Sequence, residues 1–219
     1  MRDAADHLDF ASQLQNAVPT DWSVIASITQ PLIVAPHLDE KRANLAKAIT
    51  LMNALVIKPG QTLSIWRCLG PPTACRGWAS GRTIINDVMT TDPGGGLCQF
   101  SSLIYHLGLL ARLDVRERHH HSRDIHATDA TRFTPLGLDA TLVYGFKDLR
   151  LRNDGAGDLV VTFQLTQTSL TGQVSAIAPT TPRRLHLLRQ DNAQSRTVIV
   201  SCIEADGTLK RISANHYLL

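Results

Sequence analysis

The sequence predicts an α+β fold: a helical N-terminal half with a cysteine-bearing helix, packed on an antiparallel β-sheet drawn from the C-terminal half. Three observations carry the prediction. Helical spacing of apolar residues dominates up to Leu113, and strand-like runs dominate from Val115 onward. Turn signals at Asn153-Asp154-Gly155 and Asp206-Gly207 separate the later runs as hairpin connections do. The order of helices first and strands later is that of α+β proteins, and 219 residues suffice for one substantial core with a small appendage.

Taken in order, residues 4–16 carry Leu8, Phe10 and Leu14 at loose helical spacing and are expected to form a short opening helix. Leu32-Ile33-Val34-Ala35, closed by Pro36, is a short β-like run. Leu45, Ala48, Leu51, Met52 and Leu55 then recur with helical period. Asp39 and Glu40 stand near the start, where the helix dipole favours negative charge, and Pro59-Gly60 ends the segment. Residues 63–66 read as a strand. From Pro71-Pro72 to about Ile84 the chain reads as a long irregular loop, whose Arg76, Trp78 and Arg82, with Trp66 and Arg67 before it, suit a binding wall or the anchoring of the loop. The most regular helix runs from Cys98 to about Leu113, with Phe100, Leu103, Ile104, Leu107 and Leu110 along one apolar face. Strands are expected at 115–121, 138–145 and 147–152, then a hairpin of 159–165 with 172–177, and two more strands at 197–202 and 208–212.

Composition narrows the function classes. Aromatic residues are only 5% of the chain and the formal charge of +3 comes from scattered basic residues, so no nucleic-acid partner is expected. No apolar run approaches the roughly 20 residues of a membrane-spanning helix. The opening Met-Arg-Asp-Ala-Ala-Asp-His lacks the apolar stretch of a secretory signal, so a cytoplasmic protein without membrane contact is expected. The four cysteines, Cys68, Cys75, Cys98 and Cys202, form no CxxC pair, which argues against a zinc ribbon or a thioredoxin-type motif. Cys68 and Cys75 flank a Pro-rich loop and can cross-link in oxidising surroundings; in a cytoplasmic protein both are expected free.

Chemistry concentrates at Gly94-Gly95-Gly96-Leu97-Cys98-Gln99. Glycines before a helix let the backbone take conformations closed to other residues and approach a ligand closely. A thiol in the first turn sits at the positive end of the helix field, where unpaired N–H groups stabilise a thiolate and can receive an oxyanion. Further on, Glu117-Arg118-His119-His120-His121-Ser122 offers a general base, and strand alternation would place His119 and His121 on one face. Asp139, in Gly137-Leu138-Asp139-Ala140-Thr141, is an acid inside an apolar segment, costly unless hydrogen-bonded, and orienting an imidazole provides that bond. Cysteine at a helix start, then histidine, then acid, is similar in order to transglutaminase-like and papain-like thiol enzymes.

The chain also resembles the VanW family, named for its association with vancomycin-resistance gene clusters. The resemblance rests on Asn44 and its helix, Lys58-Pro59-Gly60-Gln61-Thr62-Leu63-Ser64, residues 77–81, the GGGxCQ segment at 94–99, residues 117–122, 135–141, and Asp148-Leu149-Arg150-Leu151-Arg152-Asn153. These run in family order over about 36–178, implying one VanW-like domain over 1–219 with a C-terminal β extension at 179–219, the short form without further membrane-anchored domains. The resemblance carries Cys98, Gln99, His121, Asp139 and Asp148, and prefers His121 because the family's histidine directly precedes a serine.

The residues support three readings. In the first, Cys98, His121 and Asp139 form a cofactor-free thiol site, with Gly95, Gly96, Gln99, Trp66, Arg82 and His119 against a small-molecule or peptide substrate, for hydrolysis or transfer at an amide, ester or thioester. In the second, Cys98, His119 and His121 ligate zinc, copper or iron. In the third, Cys98 is a packing residue in a non-catalytic module that binds peptides or cell-wall material.

Overall fold

A computed structural model of the chain describes residues 8–16, 18–85, 88–124, 129, 132–177 and 181–219. Its elements are β1 (Ser23–Pro31), α1 (Leu38–Met52), β2 (Leu55–Ile57), β3 (Thr62–Ser64), α2 (Ile65–Leu69), β4 (Ser80–Ile85), β5 (Val88–Pro93), α3 (Leu97–Leu110), β6 (Asp114–Glu117), β7 (Arg150–Arg152), β8 (Leu159–Leu165), β9 (Ser169–Ala176), β10 (Arg184–Asp191), β11 (Ser195–Ile203) and β12 (Leu209–Leu218).

Strand outweighs helix, 39% to 19%, and this overturns the expected helical N-terminal half on a single C-terminal sheet. Among the described residues the strands form four sheets, ordered β1-β9-β8-β2, β10-β11-β12, β3-β7-β6 and β4-β5. Five of the strands precede residue 94, so the N-terminal half supplies edges to sheets that the C-terminal half completes. The misreading has a physical cause. β2 is three residues long and buried throughout, so it shows no alternation, and its Leu55 continues the helical period of α1.

Several smaller expectations also change. Residues 4–7 of the expected opening helix lie outside the described residues. Over 8–16 the chain is not helical, with bridges from Phe10 to Thr62 and from Leu14 to Leu55. The 32–35 run lies past the end of β1 and is not a strand. Of the segment 63–66, Leu63 and Ser64 belong to β3 and Trp66 to α2. The loop expected up to Ile84 ends in the β4–β5 hairpin, which also includes residues 80–85 and 88–93. The strand expected at 115–121 stops at Glu117, and 138–145 is extended chain ending in a tight turn closed by a Val143–Lys147 bridge. β10 was hidden because only alternate residues on it are partly buried while the rest are exposed.

α1 and α3 form near where the periodicity places them, but α1 stops at Met52, so that Leu55 opens β2 instead of extending the helix toward Pro59, and α3 stops at Leu110. α3 is buried on nearly every side, including Ser101 and Ser102, and so is a central helix and not a surface one. A Cβ at Gly172 of β9 would meet Leu107 at 2.6 Å, and one at Gly108 of α3 would meet Leu151 of β7 at 2.4 Å. These two close approaches seat α3 between the β1-β9-β8-β2 sheet and β7, and Phe100 adds a ring contact of 4.7 Å with Phe163. No helix among the described residues is long and apolar enough to cross a membrane.

Candidate functional site

The glycine turn and α3 present Cys98. Gly96, at φ +94°, is the N-cap, a left-handed position that favours glycine. A Cβ on Gly95 would stand 2.1 Å from the carbonyl carbon of Gly81, so the turn lies flat against the backbone of β4. Asn44, buried on α1, holds that approach: its Nδ2 donates to the carbonyls of Ala79 and Gly95, both at 2.9 Å, and its Oδ1 accepts from Ala79 N–H at 2.8 Å. Within the turn, Leu97 N–H donates to the Gly94 carbonyl and Gln99 N–H to that of Gly96. Of the four donors from Gly96 to Gln99, those of Gly96 and Cys98 keep no backbone acceptor among the described residues.

The other side of the site is built by two extended segments, 118–121 and 139–141, joined by the bond from Thr141 N–H to the His119 carbonyl at 2.8 Å. Two serines of α3 fasten the second segment. Ser101 Oγ donates to the Ala140 carbonyl at 2.5 Å, and Ser102 Oγ donates to the Cys98 carbonyl at 2.6 Å while accepting from Ala140 N–H at 2.9 Å. Thr141 Oγ1 thereby comes to 3.7 Å from Cys98 Sγ.

His121 stands between thiol and carboxylate. Its Nδ1 is 2.7 Å from Asp139 Oδ2, which also accepts the His121 backbone N–H at 2.8 Å. Asp139 Oδ1 accepts from Arg118 Nη2 at 3.0 Å and from Tyr217 Oη at 2.5 Å. Burial would raise the Asp139 carboxyl, but the bonds from His121 and the charge of Arg118 hold it well below the usual carboxylate range. Burial would likewise lower the imidazole, yet Asp139, hydrogen-bonded to it, and the neighbouring Cys98 thiol raise His121 to about 10. Burial would push the Cys98 thiol up, and the hydrogen bond and charge of His121 outweigh it and bring it down. A thiolate–imidazolium pair is the state these directions favour.

Cys98 and His121 open onto a cavity of about 520 Å³, a size that suits a small ligand. Trp66, Arg82, Gly96 and Gln99 also line it. Trp66 is fixed by its Nε1 donating to the Lys147 carbonyl at 2.8 Å and by an edge contact of 5.5 Å with Tyr144. The Gln99 amide donates to the Pro31 carbonyl at 3.0 Å and ties α3 to the end of β1. Gly95 lies behind the lining, against β4. Trp78 is buried away from the cavity.

His119 does not join its neighbour. Because the chain leaves strand geometry after Glu117, alternation no longer governs the histidines, and His119 Nε2 turns to Glu117 Oε1 at 3.0 Å. Cys98, His119 and His121 therefore do not converge, and among the described residues no group of three His, Cys, Asp or Glu side chains is arranged to hold a metal ion. Asp148 serves the scaffold, accepting from Ser64 Oγ at 2.5 Å and Leu149 N–H at 2.8 Å and pairing with Arg150 at 3.1 Å. The four cysteines are free.

Sequence reasoning missed Lys41, Thr141, Arg118 and Tyr217. Thr141 sits in the GxDAT segment and Arg118 beside the histidine run, so proximity in sequence was an available signal. Tyr217, 78 residues from Asp139, and Lys41, 57 from Cys98, had none.

Comparison with known proteins agrees with the motifs. The model of the family "VanW like protein" matches residues 40–175. The chain is 32% identical over 141 residues to the vancomycin B-type resistance protein VanW of Enterococcus faecalis, covering 64% of this chain and 50% of that protein. It is 28% identical over 110 residues to the uncharacterized protein YoaR of Bacillus subtilis, covering 50% of this chain and 34% of that one. The chain thus spans half or less of the length of these curated relatives. No solved structure matches it. On the family match across most of its length, this chain belongs to the VanW-like family.

Proposed function

We propose that the chain is a thiol-dependent enzyme of acyl chemistry, acting by hydrolysis or transfer at an amide, ester or thioester. The observation that carries the reading is one imidazole held between a buried carboxylate and a cavity-facing thiol. In this reaction the Cys98 thiolate attacks the acyl carbon, an S–C bond forms, and the carbonyl electron pair moves onto oxygen. The N–H groups of Gly96 and Cys98 are the donors available to that oxygen. The pair returns, the C–N, C–O or C–S bond of the leaving group breaks, and the departing atom takes the proton of His121. Water or another acceptor, giving its proton to His121, then attacks the thioester and releases Cys98 as thiolate. Asp139 keeps the imidazole oriented throughout and stabilises its charged form before the proton leaves and after the next one arrives. The relative named for vancomycin resistance supplies a context and no reaction.

The test is mass spectrometry after brief iodoacetamide treatment at stepped pH. Two other thiols serve as references: Cys75 is exposed, and Cys68 is pushed up to about 11 by burial and then by the charge of Asp148. Cys98 is expected to label first, well below the roughly 8.5 of a free thiol, and to lose that advantage in His121→Gln. Labelling of Cys98 no faster than Cys75 at pH 6 overturns the reading and leaves a binding site without thiol chemistry.

A further inference from the structure

The cavity beside Cys98 holds two cations that the acyl mechanism does not use. Lys41 leaves α1 and passes over the N-cap of α3: a Cβ built on Gly96 would lie 2.5 Å from Lys41 Cγ, so the glycine makes room for the lysine stem. The ammonium then lies in the cavity wall, 5.6 Å from the centre of the Phe133 ring. Arg82 reaches the same wall from β4. Burial, and next the charge of Arg82, lower Lys41 to about 8, while the Cys98 thiolate opposes that shift; the three groups therefore sense one another across the cavity.

Charges on the lining do not balance. Lys41 and Arg82, with the His121 imidazolium, face the Cys98 thiolate and one carboxylate, the exposed Asp92. His37, also on the lining, is 3.6 Å from Glu40 at the surface. Among the described residues no carboxylate lies within ion-pair distance of Lys41 or Arg82. Taking an ammonium out of water without a counter-charge is unfavourable, and an anion entering the cavity offsets that cost.

We infer that Lys41 and Arg82 form a carboxylate-binding wall, so that the acyl compound presented to Cys98 carries, besides its reacting acyl group, a separate anionic carboxylate. This rests on the thiol reading above and names the substrate class for it. The thiol attacks the neutral acyl carbon, and the pendant carboxylate lies against Lys41 and Arg82, which orients the acyl group by two-point binding.

The experiment compares iodoacetate with iodoacetamide on Cys98, each rate read by mass spectrometry at one pH. With either reagent the thiolate displaces iodide: the S–C bond forms and the C–I pair leaves with iodide. Both need the same thiolate, so the ratio of rates cancels the thiolate fraction and reports attraction for the carboxylate. His121 attracts iodoacetate in every variant, so only the part lost with Lys41 and Arg82 counts. The iodoacetate-to-iodoacetamide ratio is expected to fall about three- to tenfold in Lys41→Met and in Arg82→Gln, and to persist in Lys41→Arg. Arg82 is exposed on a hairpin, so its variant keeps the test open should Lys41→Met fold poorly. An unchanged ratio in Arg82→Gln and in folded Lys41→Met overturns the wall, while rapid iodoacetamide labelling at low pH leaves the thiol reading standing. Failure of Cys98 to label with iodoacetamide removes both.

Discussion

Asp139 divides its two oxygens between the cavity-facing histidine and the scaffold. Oδ2 serves the His121 ring and backbone N–H, while Oδ1 takes Arg118 and Tyr217. The side chains of Arg118 and Asp139 are 5% and 10% exposed, so removing the charge of one strands the other. Asp139→Asn is expected to cost about 3 kcal/mol or more in denaturant unfolding and to move the pH of Cys98 labelling upward, since the imidazolium loses its counter-charge. The sign of its pH dependence follows from two groups. Asp139 is depressed below its ordinary 3.8, so its contribution is complete above that value and is lost as pH falls through the folded one. His121 is raised from 6.5 to about 10, so its contribution is complete below 6.5 and is lost as pH rises toward 10. The Tm gap between wild type and Asp139→Asn should be widest between these limits and narrow on both sides, as thermal melts over pH would read.

At the level of elements, the N-terminus of α3 is placed by backbone packing more than by side chains. Gly95 against Gly81 leaves no space for a methyl group, because the atoms it would meet are main chain and cannot swing aside. Gly95→Ala should therefore separate the turn from β4, lower stability by about 1–3 kcal/mol or more, and slow Cys98 labelling by displacing the first turn of α3. Urea titration and the labelling rate measure the two effects separately. The GGGxC segment announced this closeness in the sequence, since consecutive glycines before a helix have a conformational purpose. What they pack against was not visible, because Gly81 is 14 residues away on a hairpin that read as loop. The serines of α3 were equally unreadable: a helical Ser-Ser pair has no signature that says it fastens residue 140.

Across the whole molecule, the C-terminal sheet completes the site although the family match ends at residue 175. Tyr217 of β12 gives its hydroxyl proton to Asp139 and accepts Gly137 N–H at 3.1 Å, and Asn215 receives Arg118. The strands beyond the matched region thus stand behind the acid that holds the histidine. Tyr217→Phe should leave Gly137 N–H and one oxygen of Asp139 short of a partner and cost about 1–3 kcal/mol. Chemical denaturation measures it, with Cys98 labelling in His121→Gln as the reference for complete loss of support.

The amino-acid order alone determined that Cys98 opens a helix behind a glycine turn and that α1 and α3 are helices, and it pointed to His121 and Asp139 as companions of the thiol, because local periodicity, glycine conformation and the cost of a buried acid act within a few residues. The tertiary structure decided the rest. It set His121 against Asp139 and sent His119 to Glu117, made the fold predominantly β, and brought Lys41 and Tyr217 to the site. Those outcomes depend on pairing between distant segments, and three-residue buried strands carry no period from which such pairing can be read.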